Sequence, residues 1–261
     1  MFATVEFYER EDTFKERLRS FFSPPKIITE KVPLPENEYF YKIKVPLHKG
    51  EIPYDKLKRI SSGVGDGLIF PKGFKCEESA GIKIYSSRYF KETVLFNTAV
   101  SLIKESVFEP TQTVITLVDK KGVLASEVNR IVPYAYEIRV VTDNIRAYEF
   151  AHRRIMNEYG LSVLVSDKLS SISKEGIVIS YDSSFIPLYF KGLVLTAEKR
   201  FLPFARVLVG EGITADEKYR ALCPENVDIE AFLSALCEVC FIRELRKTEY
   251  EKLVDISAGS I

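Results

Sequence analysis

Val114-Ile115-Thr116-Leu117-Val118-Asp119-Lys120-Lys121-Gly122-Val123-Leu124-Ala125 is an apolar, partly β-branched run that ends in an aspartate and opens into a glycine-containing turn. Three runs downstream repeat the pattern: Ile138-Arg139-Val140-Val141-Thr142-Asp143, Ser162-Val163-Leu164-Val165-Ser166-Asp167 and Gly176-Ile177-Val178-Ile179-Ser180-Tyr181-Asp182. Helical spacing separates the first three. Continuous apolar strands with helices between them are the signature of a parallel α/β sheet, in which strands are covered on both faces. In such a sheet all four carboxylates fall on the carboxyl edge, where open α/β sheets take their ligands. The pattern places a site without naming a reaction.

The turn after the first run bears on that site. A dinucleotide fingerprint reads G-x-G-x-x-G/A after a strand and at the opening of a helix. Gly122 falls on its second glycine position and Ala125 on its third, while Lys120 holds the first. Asp143 closes the second run, 21 residues beyond Gly122, where the fingerprint has an acid for the ribose 2′-hydroxyl. On these residues the span 113–182 resembles the cofactor half of Rossmann oxidoreductases. The run Ile177-Val178-Ile179-Ser180 resembles the fourth strand of shikimate-dehydrogenase-like cofactor domains. The resemblance implies a Rossmann-like parallel sheet with helices on both faces and a bound nucleotide or small polar metabolite. NAD is then the candidate cofactor, favoured over NADP because the Asp143 carboxylate repels a 2′-phosphate. Lys120 or Lys121 would supply charge in place of the missing glycine. The implied site comprises Asp119, Lys120, Gly122, Ala125, Asp143, Asn144 and Asp182.

The same residues also resemble haloacid-dehalogenase-like phosphatases, which open with a strand and D-x-D-G-T-L. Here the text is Asp119-Lys120-Lys121-Gly122-Val123-Leu124, with Thr142 at the phosphate-holding position and Asp167 or Asp182 as the later acid. Lys121 stands where the second carboxylate should act as general acid, a role lysine does not play at its ordinary pKa. A third reading is a non-catalytic interaction or regulatory protein that uses the fold as scaffold. Clustered aspartates suit magnesium, but only if they converge, and strand order decides that.

The remaining composition narrows the classes. The chain has 261 residues, 46% of them apolar, and 37 basic side chains balance 37 acidic ones. A nucleic-acid binder carries a basic excess or stripe, so none is expected as partner. No run approaches the roughly 18 apolar residues of a membrane helix, and the first twelve residues turn charged by Glu6, unlike a signal peptide. The expected place is the cytoplasm. Cys237-Glu238-Val239-Cys240 lies inside a helical pattern, which puts both thiols on the buried stripe; a redox pair opens a helix instead. Of the two histidines, His48 sits in a turn-like stretch and His152 near the apolar face of a helix. Gly63-Val64-Gly65-Asp66-Gly67 reads as a turn whose N–H groups can face an anion, without the Lys-Ser/Thr of a P-loop.

Along the chain, residues 1–108 read as a smaller mixed α/β domain. It would hold strands over 4–8, 38–45, 68–70 and 82–85, helices over 12–22 and 53–61, and a long apolar helix over 88–105. Residues 109–248 read as the Rossmann-like domain, with helices over 122–132, 144–159 and 229–247 and further strands over 187–196 and 206–209. Residues 249–261 read as a polar, frayed tail. The site would then line a crevice between the domains.

Overall fold

The computed structural model describes residues 1–9, 26–47, 51–74, 81–106 and 109–257. The helix expected over 12–22, His48 and Cys76 lie outside them. The chain forms two compact units: residues 1–88 with 215–245, and residues 89–214 with 246–261. They part at Arg88 rather than at 108, and the second half of the chain returns a segment to the first unit.

The first unit holds β1 (Ala3–Tyr8), β2 (Ile28–Pro33), β3 (Tyr39–Pro46), α1 (Tyr54–Gly63) and β4 (Leu68–Ile69). Its sheet has the order β2-β3-β1-β4, with β1 parallel to both neighbours and β2 antiparallel to β3. Alternate residues Ala3 and Val5 of β1 and Ile43 and Val45 of β3 bury one face against Leu57 of α1 and Val64. This is the period-two pattern of a strand meeting a helix stripe. Phe2 and Phe40 stack and meet Phe232 edge-on.

Two short helices return to this unit late in the chain, α4 (Glu217–Arg220) and α5 (Ile229–Glu238). Asp228 caps α5 by accepting from the N–H of Ala231 at 2.9 Å. The helix stops at Glu238 rather than running to 247, and Arg243–Lys247 forms a separate 3-10 turn. Cys237 and Cys240 are both buried, in line with a structural role. The Cys240 thiol faces the carbonyl of Tyr39, and burial pushes its pKa up to about 12.

The second unit is built on seven strands. These are β5 (Val114–Val118), β6 (Glu137–Val141), β7 (Val163–Ser166), β8 (Ile177–Ser180), β9 (Gly192–Thr196), β10 (Ala205–Ile213) and β11 (Tyr250–Asp255). All four aspartate-tipped runs are strands. Read from one edge the order is β7-β6-β5-β8-β9-β10-β11. The first six are parallel and β11 is antiparallel. Numbered from β5, the parallel set runs 3-2-1-4-5-6, the doubly wound Rossmann order. The fold is therefore Rossmann-like.

Two α-helices cover this sheet. The first is α2 (Phe90–Glu105), which packs on β8, β9 and β11, and the second is α3 (Ile145–Tyr159), which packs on β7. Asn144 caps α3, and Gly160 ends it in the left-handed conformation at φ 67°, where a Cβ would be strained. A second apolar layer gathers Val118, Val141, Val178, Val194, Val207 and Val209 from five strands. Its cover comes from Ile172, Ile186, Phe190 and Leu202, residues of loops and 3-10 turns. On that side the crossovers after β7, β8 and β9 are too short for α-helices.

Two sequence expectations change here. The helix expected over 122–132 is a series of turns followed by a 3-10 helix, Val128–Tyr134, that contains Pro133. In the tail after 248, Tyr250–Asp255 is not frayed: it forms β11, which pairs with β10 from Leu208 to Ile213. Gly210 lies within β10, and glycine stands there because any Cβ would run into the Tyr250 ring.

Candidate functional site

The parallel order puts the ends of β5, β6 and β8 side by side, with the topological switch between β5 and β8. The turn after β5 is organised by Asp119. Its carboxylate is buried, 2% exposed. One oxygen accepts the N–H of Gly122 at 3.0 Å, and the other accepts the N–H of Leu124 at 2.8 Å and the Tyr148 hydroxyl at 2.7 Å. Burial, then the Asp119 charge, pushes the Tyr148 phenol far above its usual range and keeps it a neutral donor. A second Gly122 N–H contact, to the Asp119 carbonyl, closes the turn.

This arrangement explains why no α-helix follows β5. The turn's N–H groups are bound to a side chain from the strand end. Val123, Val128, Ile131 and Val132 are β-branched and Pro133 blocks continuation. Gly122 has φ 77°, and a Cβ there would sit 2.8 Å from the Ala147 Cβ. Glycine at 122 therefore lets the turn lie against the first turn of α3. In a dinucleotide site, glycine at this position lets pyrophosphate approach the backbone.

The turn after β6 is tied to the first by polar contacts. The N–H of Asp143 donates to the Lys120 carbonyl at 3.1 Å, and the Asn144 side-chain amide donates to the Lys121 carbonyl at 3.2 Å. The Asn144 oxygen accepts from the N–H of Ala147, so this residue is a helix cap and a clamp at once. Asp143 is exposed, and its carboxylate meets the Lys120 ammonium at 2.8 Å. The same ammonium lies 5.5 Å from the centre of the Phe185 ring, on the turn after β8. Lys120 thus reaches from the β5 turn toward both neighbouring turns, over the switch point.

Asp182 ends β8 and caps the 3-10 turn Ser183–Phe185, accepting from the N–H of Ser184 at 2.7 Å. Burial pushes its carboxyl up, but the Ser184 hydrogen bonds, the Glu198 contact and the Arg200 charge together hold it below the usual range. Beside it, Glu198, on the turn after β9, is raised by burial and by the Asp182 charge.

The structure brings Asp119, Lys120, Gly122, Asp143 and Asn144 into one connected set and leaves Asp182 on the adjoining turn. Ala125 is buried in the loop beyond. Asp167 is exposed at the end of β7, and among the described residues no group of three or more metal-ligating side chains forms. Lys121 pairs with Glu92 at 3.2 Å, and the Thr142 hydroxyl accepts the N–H of Asn144. His152 is half-buried, with Nδ1 3.0 Å from the Val163 carbonyl oxygen. Sequence reasoning did not assign site roles to Tyr148, Phe185 or Glu198. Tyr148 carries the one usable signal, since a tyrosine on a helix's apolar face needs a buried partner for its hydroxyl.

No protein-family model and no curated protein matches this chain. Among solved structures, quinate dehydrogenase from Corynebacterium glutamicum in complex with NAD matches over 74% of this chain and 79% of that one, at 8% identity and a TM-score of 0.28. L-tryptophan dehydrogenase from Nostoc punctiforme matches over 75% and 62%, at 10% identity and a TM-score of 0.29. Shikimate dehydrogenase from Aquifex aeolicus matches over 74% and 77%, at 10% identity and a TM-score of 0.23. The Rossmann-like assignment rests on the strand order, to which likenesses at these scores add no argument. Among the described residues no helix is long and apolar enough to cross a membrane.

Proposed function

We propose that this protein is a non-catalytic binding or regulatory protein that keeps the Rossmann frame as scaffold and has closed its dinucleotide site from within. The observation that carries this reading is the Asp119 carboxylate. Backbone N–H groups at such a turn are what a Rossmann domain offers to pyrophosphate. Here the N–H groups of Gly122 and Leu124 already hold an anion, the chain's own carboxylate. A pyrophosphate in the same place would meet a buried negative charge, and like charges in one desolvated site repel strongly. The Lys120–Asp143 pair supports the reading, because it engages the acid that would hold an adenosine ribose.

Asp143 also favours a second reading, a nucleoside ligand without pyrophosphate contacts. Its side chain is 66% exposed, and a surface ion pair of this kind is worth only about 0–1 kcal/mol. Lys120 can therefore be displaced at little cost. Thermal unfolding with NAD, NADH, NADP and adenosine, each at millimolar concentration, separates the two. The scaffold reading expects no shift with any of them. A ligand at 100 times its Kd stabilises by about 2.7 kcal/mol, so a shift of several degrees is readable. A shift with NAD that Asp143→Ala abolishes overturns the scaffold reading. A shift with adenosine alone selects the second.

A further inference from the structure

The first unit carries a concavity unlike the carboxyl edge of the second. It has a volume of about 460 Å³ and lies at the end of α1. Lys58, Arg59 and Lys83 line it, with Ser61 and Ser62 from the last turns of the helix and Gly65 from the turn that follows. Among the described residues, three cations and no carboxylate line this space.

Asp66, which follows the lining residue Gly65, is already committed elsewhere. Asp66 takes the α-amino group of Met1 at 2.6 Å and the Arg88 guanidinium at 2.6 Å, and the hydrogen bond from the amino terminus holds its carboxyl below the usual range. Among the described residues, neither Lys58 nor Arg59 forms an ion pair. Like charges gathered with no counter-charge among the described residues favour an anion between them.

A dipole role does not account for these cations. Basic residues near a helix C-terminus commonly answer the negative end of the helix dipole, but the last turn of α1 carries none. The carbonyls there are satisfied differently. Ser61 and Ser62 donate their hydroxyls to the carbonyls of Lys58 and Arg59, and the Val64 N–H donates to the Ser61 carbonyl. Lys83 donates to the Gly65 carbonyl as well. These bonds mask the partial negative charge that would otherwise oppose an anion at a helix end.

Two glycines shape the space. Gly81 has φ 61°, and a Cβ there would stand 3.2 Å from both Cε and Nζ of Lys58. Glycine at 81 thus lets the Lys58 side chain lie against the backbone. Gly65 has nothing within 4 Å of where a Cβ would be, so its backbone is open to close approach.

We propose that this concavity binds a small phosphate-bearing metabolite, with the Arg59 guanidinium and the Lys58 ammonium as the principal charges. The planar guanidinium fork matches phosphate oxygens, and lysine adds a point charge. The volume falls among small-molecule sites, typically about 300–1,000 Å³, and exceeds what one inorganic phosphate fills. The site is independent of the reading given for the carboxyl edge.

Isothermal titration of the whole protein with inorganic pyrophosphate at about 0.15 M KCl tests it. The expected result is saturable binding that weakens about tenfold or more in Lys58→Gln and in Arg59→Gln. Each of those changes removes one charge-assisted contact. Both side chains are exposed, so the variants should keep the fold, which circular dichroism and an unchanged Tm verify. Arg153→Gln, an exposed charge change in the second unit, should leave affinity unchanged. Binding that disappears at this salt concentration, or that weakens equally in Arg153→Gln, reports diffuse charge and overturns the proposal. Binding lost in Lys120→Ala but kept in Lys58→Gln moves the ligand to the carboxyl edge and overturns it too.

Discussion

Asp119 and Asp143 end neighbouring parallel strands of one sheet, each after an apolar run, yet they do opposite things. Asp119 turns inward, is 2% exposed and holds two backbone N–H groups and a phenol. Asp143 turns outward and meets a single lysine at the surface. The difference lies in the donors that each turn supplies. After β5 the chain bends back through a left-handed glycine, which brings two N–H groups and Tyr148 of α3 around the carboxylate. After β6 the chain enters α3 directly, and Asn144, not Asp143, caps it. A strand-end aspartate in an α/β sheet is therefore a candidate ligand group only when its own turn leaves it unoccupied.

The largest expected effect comes from breaking the inward turn. Asp119→Ala leaves the Leu124 N–H and the buried Tyr148 hydroxyl without their acceptor and the Gly122 N–H with the Asp119 carbonyl alone, and should cost on the order of 3–5 kcal/mol in urea unfolding. Asp143→Ala should cost less than about 1 kcal/mol, as exposed ion pairs do. Equal costs for the two substitutions would erase the contrast.

Gly122→Ala tests whether the turn's geometry matters as much as its charge. A left-handed non-glycine residue costs roughly 1–2 kcal/mol and overpacking against Ala147 roughly 1–3. Together they predict a loss of about 2–5 kcal/mol, with the seven-stranded sheet otherwise kept by circular dichroism. A neutral substitution would mean that the turn can settle in another conformation.

The smallest expected effect is at the turns after β8 and β9, where two carboxyls meet. The Glu198 pKa is raised in the folded protein by burial and by Asp182. Folding therefore favours its protonated form, a contribution present below the unfolded pKa and lost as pH rises through the folded one. At pH 7 the ionised side chain is a small penalty, so Glu198→Gln should stabilise by up to about 0.5 kcal/mol. The gain should vanish near pH 3.5. A gain of the same size at both pH values would show that charge is not its cause.

Much of the second unit is legible in the sequence because buried parallel strands leave continuous apolar runs. Residues 114–118, 137–141, 163–166 and 177–180 stand out without any tertiary information. Asn144 and Gly160 also mark both ends of α3 plainly. Less legible is β11: an edge strand, Tyr250-Glu251-Lys252-Leu253-Val254-Asp255, in which only Tyr250 is buried, carries little apolar signal. The expected helix after β5 rested on helical spacing of apolar residues, which a chain of turns and a 3-10 helix can also satisfy. In the candidate site, spacing placed Gly122 and Asp143 on a fingerprint. It could not show that the N–H groups beside Gly122 were already bound.

The sequence by itself determined the fold class, because the alternation of buried runs and helical stripes is local and the hydrophobic effect acts on it directly. Tertiary structure alone decided the strand order 3-2-1-4-5-6, the return of residues 215–245 to the first unit, and the occupant of the turn after β5. Those depend on contacts between residues far apart in the chain. Tyr148 reaches Asp119 across 29 positions, and no local pattern records which side chain satisfies a buried carboxylate.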